Sequence, residues 1–389
     1  MRRLLTNINA IQFPLIKKLT NLFMKTPYPP KNIFLETHNI KNLHSGFGQF
    51  NFNLAKALSK ETEFLSEYEV ILNCNNKSVK DELNGNISFN KYMPITRYPL
   101  FRMRQNFSLW HSVNQNTKIE PASKNVPYLL TIHDVNFLEE ESGKRLDFRI
   151  NQLKNKIKRS SAIVYVSEFA KQNTHAHFHV PDIPEYVIYN GNNFINNTAE
   201  KTEINHTKYI PNKPFIFSIG QVVEKKNFHT LIEMLRFLSD IVLVIAGGLR
   251  SAYAELLKEK IQRYNLENRV VLLGNIPESD KIYYYKNCLA FAFPSLREGF
   301  GLPVLEAMTF GKPVFLSNKT SLPEIGGKHS FYWDNFDAED MANVFEAGMN
   351  TFEGNKDAFE SAYINRSQQF TWEKAAKDYV HVYKSILEK

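Results

Sequence analysis

The chain has 389 residues, 43% of them hydrophobic, with 30 Phe and 18 Tyr. That is enough for two ordinary domains with their own cores, and it excludes a disordered bulk, because aromatic side chains bury large areas. A formal charge of +8 suits an anionic partner or plain solubility. No Arg-rich helix, zinc-finger spacing or glycine–aromatic repeat selects nucleic acid. Only Cys74 and Cys288 are present, which excludes a disulfide framework and gives no zinc-site spacing.

Residues 1–32 begin with a basic stretch. It holds six Lys or Arg and no Asp or Glu before position 32. Leu4, Ile8, Ile11, Leu15, Leu19 and Leu22 recur at helical spacing, with Pro14 starting a second helix or kinking the first. A cationic helix with one apolar stripe fits a membrane interface through residues 1–25, or equally a helix covering the core. No apolar run reaches the roughly 20 residues needed to cross a bilayer, and no signal-peptide core stands out. The sparse cysteines fit a reducing, cytoplasmic setting, with peripheral contact at the inner face of the cytoplasmic membrane if the helix binds lipid.

The first α/β half covers 33–195. Asn32–Glu36 reads as a buried strand, followed by a loop with Ser45-Gly46-Phe47-Gly48 and a helix over Gln49–Leu58. Further strands are expected at Glu69–Leu72, Tyr128–Ile132, Ala162–Val166 and Val187–Tyr189, with a strongly basic helix over Arg145–Arg159. A polar stretch, 196–213, reads as the linker. The second half, 214–370, opens with the strand Phe215–Gly220 and a helix over Asn227–Leu238. Strands follow at Ile241–Ala246, Val270–Gly274, Leu289–Phe293 and Pro313–Leu316. Continuous apolar runs of this kind are the pattern of buried parallel strands. A helix with Thr371 as N-cap closes the chain over 371–389. The whole predicts two α/β domains with mostly parallel sheets, whose ligands sit at the carboxyl ends of the strands.

The segment 293–308, Phe-Pro-Ser-Leu-Arg-Glu-Gly-Phe-Gly-Leu-Pro-Val-Leu-Glu-Ala-Met, carries most of the chemistry. It follows a strand and opens a helix. Gly299 and Gly301 allow close backbone approach, and the amides of Phe300, Gly301 and Leu302 can face an anion with the helix dipole behind them. Glu298 sits in the loop ahead of the helix, and Glu306 lies inside the helix, about two turns on from Glu298. Two carboxylates beside an anion site suit a polyhydroxylated ligand; a capped helix with a solvated Glu306 is the plainer reading of the same residues.

This stretch resembles the signature of the retaining glycosyltransferases related to glycogen synthase and bacterial mannosyltransferases. Phe310-Gly311-Lys312-Pro313-Val314 and Ser321-Leu322-Pro323-Glu324 continue the likeness, which extends over most of 33–385. The resemblance implies a GT-B fold: two facing Rossmann-like domains, the donor nucleotide sugar bound mainly by the second, and a C-terminal helix crossing back to the first. It implies no metal and no cofactor beyond the nucleotide-sugar substrate. Glu306 would hold the ribose, Glu298 the hydroxyls of the transferred sugar, and the amides of Phe300, Gly301 and Leu302 the diphosphate or sugar. Lys226 would supply the cation that stabilises the leaving nucleotide. Related sequences often carry arginine where this chain has Gln221, so the charge complement there differs.

In the first half, His133-Asp134 ends a strand, a place for a catalytic pair or for a capped turn with a satisfied histidine. The resemblance assigns His133 to the active site, without making it a general base. It also assigns Gly46 and Gly48 to a loop between donor phosphate and acceptor, Ser167 to a helix start facing the cleft, and Asn190-Gly191 to the interdomain entry. Trp110, His111, Asp134 and Ser167 fit the acceptor side, and an aromatic wall packing the core explains Trp110 and His111 equally. The reading is hexosyl transfer to a saccharide acceptor, with mannose from GDP-mannose as donor. The setting is cell-surface polysaccharide or lipopolysaccharide assembly on a lipid-linked acceptor. A soluble disaccharide or sugar-phosphate synthase and a non-catalytic nucleotide-sugar-binding module are the alternatives; nucleic acid is not an expected partner.

Overall fold

The computed structural model describes residues 31–43, 45–75, 77–83, 85–194 and 209–388. The basic segment 1–25 and most of the expected linker lie outside them.

Two parallel sheets form the frame. The first contains β1 (Lys31–Leu35), β2 (Tyr68–Asn73), β3 (Ile87–Asn90), β4 (Leu109–Ser112), β5 (Tyr128–Ile132), β6 (Ala162–Tyr165) and β7 (Glu185–Val187), in the order β3-β2-β1-β4-β5-β6-β7. The second contains β8 (Phe215–Ile219), β9 (Val242–Ala246), β10 (Val270–Gly274), β11 (Ala290–Phe293), β12 (Val314–Ser317) and β13 (Phe331–Trp333), in the order β10-β9-β8-β11-β12-β13. In each sheet the order reverses beside the first strand, at β1/β4 and at β8/β11. Such a switch point leaves a crevice at the strands' carboxyl ends.

The strands are apolar because both faces are covered. In β1, Ile33 and Leu35 join one core cluster while Phe34 joins another, stacking on Trp110 at 4.1 Å between ring centroids. The face carrying Ile33 and Leu35 is covered by helix Gly46–Leu58 and by the C-terminal helix Trp372–Leu387. Thr371 caps the latter by accepting from the Lys374 amide at 3.0 Å. Ala375, Ala376, Tyr379, Val382 and Tyr383 are its buried face, i, i+1, i+4, i+7 and i+8 around one side. The Tyr379 and Tyr383 hydroxyls reach Thr131 and His111 of the sheet at 3.1 and 2.9 Å. The last helix of the chain therefore belongs to the first sheet's core, as the resemblance implies.

Three strands have no counterpart in the sequence reading: β3, β4 and β13. Each is only three or four residues long, and β4 contains the polar His111 and Ser112. The last strand of the first sheet, β7, ends at Val187, two residues before the Val187–Tyr189 expectation. The Ser45-Gly46-Phe47-Gly48 segment is the cap and first turn of a helix starting at Gly46, with Ser45 Oγ accepting from the Gly48 amide at 3.1 Å.

Candidate active site

One wall of the cleft is built on the second sheet. Beyond β11 the chain runs through Ser295–Gly301 into helix Leu302–Thr309. Gly301 has φ 111°, a conformation that favours glycine, and Pro303 occupies the first helical turn. The amides of Phe300, Gly301 and Leu302 have no acceptor among the described residues. They leave a positively polarised helix end without a protein acceptor. Side chains from the next connection hold the loop in shape. Thr320 Oγ1 accepts from the Glu298 amide at 3.1 Å, and Ser321 Oγ donates to the carbonyls of Glu298 and Phe300 at 3.1 and 2.8 Å.

Lys226 enters from the turn Glu224–Lys226 that follows β8. Its ammonium pairs with the Glu298 carboxylate and lies 4.7 Å from the centroid of the Phe293 ring. The two segments are stitched together by the carbonyl of Lys225, which accepts from the Leu296 amide at 2.8 Å and from Ser295 Oγ at 3.2 Å. Glu306 is almost fully buried about one turn into the helix, its Oε2 accepting from the Tyr285 hydroxyl at 2.8 Å. Burial raises its pKa, and the Lys281 ammonium nearby works against that shift.

The facing wall is His133, just past β5. Its amide donates to Gln115 Oε1 at 3.1 Å, and its Nε2 lies 2.9 Å from the Val113 carbonyl. A carbonyl only accepts, so Nε2 carries the proton and Nδ1 is the acceptor nitrogen. The edges of Phe47 and Phe50 meet the ring at 5.0 and 4.6 Å between centroids. Burial pushes its pKa down to about 4, so this imidazole is neutral at pH 7. Asp134 Oδ1 accepts from the Asn136 amide at 3.1 Å, closing the turn after the strand. Burial raises the Asp134 carboxyl, with Lys225 opposing.

The walls touch at several points. A Cβ on Gly299 would lie 2.1 Å from the His133 carbonyl oxygen, so only glycine fits there. Ser167 Oγ donates to the Gly299 carbonyl at 2.7 Å while accepting from the Ala170 amide at 3.0 Å. The Glu324 carboxylate, from the second domain, accepts from the Glu168 and Phe169 amides at 2.8 and 3.0 Å. It thus caps a helix of the first domain, where its charge also meets the favourable end of the dipole. Arg297 pairs with Glu139 at 2.6 Å and Lys225 with Glu140 at 3.0 Å.

Comparison with known proteins agrees with this architecture. Residues 200–363 match the family described as "Glycosyl transferases group 1". The serotype-specific mannosyltransferase WbdA of Escherichia coli is 29% identical over 250 residues, which cover 59% of this chain and 29% of WbdA. The O-antigen chain mannosyltransferase B of the same organism is 24% identical over 267 residues, 66% of this chain and 70% of that one. Among solved structures, a glycosyltransferase from Rickettsia africae ESF-5 superposes with a TM-score of 0.73 at 20% identity, covering 93% of this chain and 100% of its own. The chain has the GT-B fold and is related to glycosyltransferases. It spans less than a third of the length of WbdA.

Within the GT-B frame, the predicted donor-side residues Lys226, Glu298, Phe300, Gly301, Leu302 and Glu306 converge on one helix end. Gln221 is exposed in the loop after β8. His133, Ser167 and Asp134 lie across from them. Three expectations change. Trp110 and His111 sit on β4 and are fully buried, so neither lines the acceptor side. Trp110 packs on Phe34 and Phe107. His111 bonds Tyr383 and Thr131 at 2.9 and 2.8 Å, and burial pushes its pKa down to about 3. Gly48 offers no amide to a phosphate, because Ser45 takes it; a Cβ there would also sit 1.9 Å from the Asn42 carbonyl oxygen. Gly46 has open space beside it. Gly191 packs against Trp372 at the start of the crossing helix.

Sequence reasoning missed Tyr285, Glu139, Glu140 and the role of Glu324. Glu324 stood inside the quoted Ser-Leu-Pro-Glu stretch, but its partners are more than 150 residues away. Among the described residues, no group of three His, Cys, Asp or Glu is placed to hold a metal ion. Neither cysteine is in a disulfide, and both are buried.

Proposed function

We propose that the chain is a retaining glycosyltransferase that moves a hexose from a nucleoside-diphosphate sugar to a saccharide acceptor. The observation that carries this reading is the Lys226–Glu298 pair beside the unpaired amides of Phe300, Gly301 and Leu302, with Glu306 fixed about one turn below. Negative charge builds on the diphosphate as the glycosidic bond breaks, and a fixed ammonium with a helix N-terminus stabilises it. Glu298, released in part from Lys226, accepts from hydroxyls of the sugar. Glu306, held by Tyr285, accepts from the ribose. His133 is neutral with its proton committed to Val113, so it shapes the sugar's surroundings and offers Nδ1 as an acceptor. Attack from the face that the diphosphate leaves retains configuration, the acceptor proton passing to the departing phosphate oxygen.

GDP-mannose is the proposed donor, and cell-surface polysaccharide or lipopolysaccharide assembly the proposed setting. The likeness to two mannosyltransferases, one of them of the O-antigen chain, supports both. We read 33–195 as the acceptor-side domain, 196–213 as linker and 214–370 as the donor domain. The test is thermal stabilisation and hydrolysis across UDP-, GDP-, ADP- and dTDP-sugars, with Glu306→Ala as control. A response to GDP-mannose that the control abolishes supports the reading. Preference for another nucleotide sugar overturns the donor, and no response to any overturns the activity.

A further inference from the structure

The first domain carries a second concavity whose chemistry the transfer site does not use. It has a volume of about 800 Å³ and lies between helix Gly143–Arg159 and the segment 97–124. Seven cations line it, against the single carboxylate of Glu120. Lys156 and Arg159 are spoken for, pairing with Glu120 at 3.3 and 3.0 Å. The other five, Arg97, Arg102, Lys118, Lys124 and Lys158, have no carboxylate within ion-pair distance among the described residues. The Nε groups of Arg102 and Arg159 are buried without an acceptor. A guanidinium cannot shed its proton to escape that cost. Unpaired buried N–H groups inside a basic pocket call for an anion.

The rim supplies the second observation. Pro94 and Pro99 start two short 3-10 turns, Pro94–Arg97 and Pro99–Phe101. The base of this segment is tied down where the Ala122 amide donates to the Met103 carbonyl at 2.9 Å. The turns hold Tyr98 and Leu100 in solvent, 65% and 74% exposed, with Met93, Ile95 and Phe101 beside them. Phe148, which also lines the pocket, projects from the helix. These are six of the nine large apolar side chains that stand exposed among the described residues.

A soluble phosphate ligand explains the cations and leaves the apolar rim without a use. A protein partner explains the rim, but protein interfaces are depleted in lysine. Cations around a cluster of Leu, Ile, Phe and Tyr match an anionic bilayer, where acyl chains receive the apolar groups and headgroups receive the charge. We propose that this pocket binds the phosphate of an anionic phospholipid headgroup while Ile95, Tyr98, Leu100 and Phe101 enter the bilayer interface. The contact is separate from residues 1–25 and from the donor wall, so it stands whether or not GDP-mannose is the donor. The helix that forms the pocket begins just after Glu139 and Glu140, which face the second domain. At 1.5 Å per residue it spans about 25 Å, and the cleft is thereby held within reach of an acceptor anchored in the same membrane.

The test is sedimentation of the full chain with vesicles of phosphatidylcholine alone or with about one third phosphatidylglycerol. Two variants leave the core intact: Lys118→Glu/Lys124→Glu/Lys158→Glu and Leu100→Ser/Phe101→Ser. A third protein lacks residues 1–25. The proposal expects preference for the anionic vesicles and about tenfold weaker partition in each variant, with unchanged thermal stability. The truncated protein should keep a component that the pocket substitutions abolish. Unchanged binding by both variants, or equal binding to both vesicle types, overturns it. So does stabilisation by inorganic phosphate without vesicle binding, which would make this a site for a soluble phosphorylated ligand.

Discussion

The two walls of the cleft stand on sheets that share one strand order over six strands, yet they are built from different chemistry. The wall from the second domain presents charge: Lys226, Glu298, Glu306 and an open helix end. The wall from the first presents neutral and aromatic groups, with His133 wedged between Phe47, Phe50 and the Val113 carbonyl. A parallel sheet offers a crevice at its switch point and does not decide what fills it. The side chains placed on the loops give one half a cluster of charges at a helix end and the other a neutral, aromatic surface.

If charge is the second wall's contribution, removing Lys226 should have the largest effect. Lys226→Ala is expected to lower kcat about 100-fold or more, the scale seen when one fixed donor to a developing anion is lost. Lys226→Arg should recover part of it. Steady-state kinetics with the donor found in the panel checks this, and an unchanged kcat would break the contrast between the walls. Tyr285→Phe should act more mildly, freeing the Glu306 carboxylate without deleting it. It is expected to raise KM for the donor by about tenfold, roughly one hydrogen bond to a charged group, with kcat nearly unchanged.

The neutrality of the first wall and its core predicts an acid-sensitive fold. His133 and His111 have folded pKa values near 4 and 3, below the roughly 6.5 of a free imidazole. Protons therefore favour the unfolded chain. Stability is full above about pH 6.5 and falls as the pH drops toward those folded values, by about 1.4 kcal/mol per pH unit for each histidine. Urea midpoints at pH 7, 5.5 and 4.5 should show this decline, and His111→Gln should flatten it.

Smaller effects concern the contact between the walls. Glu324→Gln keeps the shape and loses the charge on the Glu168 and Phe169 amides. It should cost about 1 kcal/mol and loosen the domains, read as increased amide exchange in helix Glu168–His177. Glu139→Gln and Glu140→Gln break two partly exposed ion pairs and should each cost under about 1 kcal/mol, the more so at low salt. A large loss from either would mean that the domains are held by these bridges and not by Gly299, Ser167 and Glu324.

The wall from the second domain was legible in sequence because its residues are close together in the chain. Gly299, Gly301, Pro303, Glu298 and Glu306 lie within one short segment, and backbone geometry and helix spacing fix their relation. Largely apolar strands such as β5, β9 and β11 were legible for the same reason. The first wall was less so. Trp110 and His111 look like cleft residues in isolation, and only pairing of β4 between β1 and β5 turns them inward. The Glu324 cap and the Tyr285 anchor depend on partners brought together by the fold, and no local pattern announces such a bond. The glycines near Ser45 read as a loop because glycine weakens helices. The close pass of Asn42 beside Gly48 and the Ser45 cap make them a helix start.

The central claim is that the charged wall binds a nucleotide sugar. Calorimetric titration of GDP-mannose into the wild-type chain and into Glu306→Ala tests it most directly. The account predicts saturable binding to the wild type and at least about tenfold weaker binding to the variant. Equal affinity for both proteins, or no binding to the wild type, would contradict it.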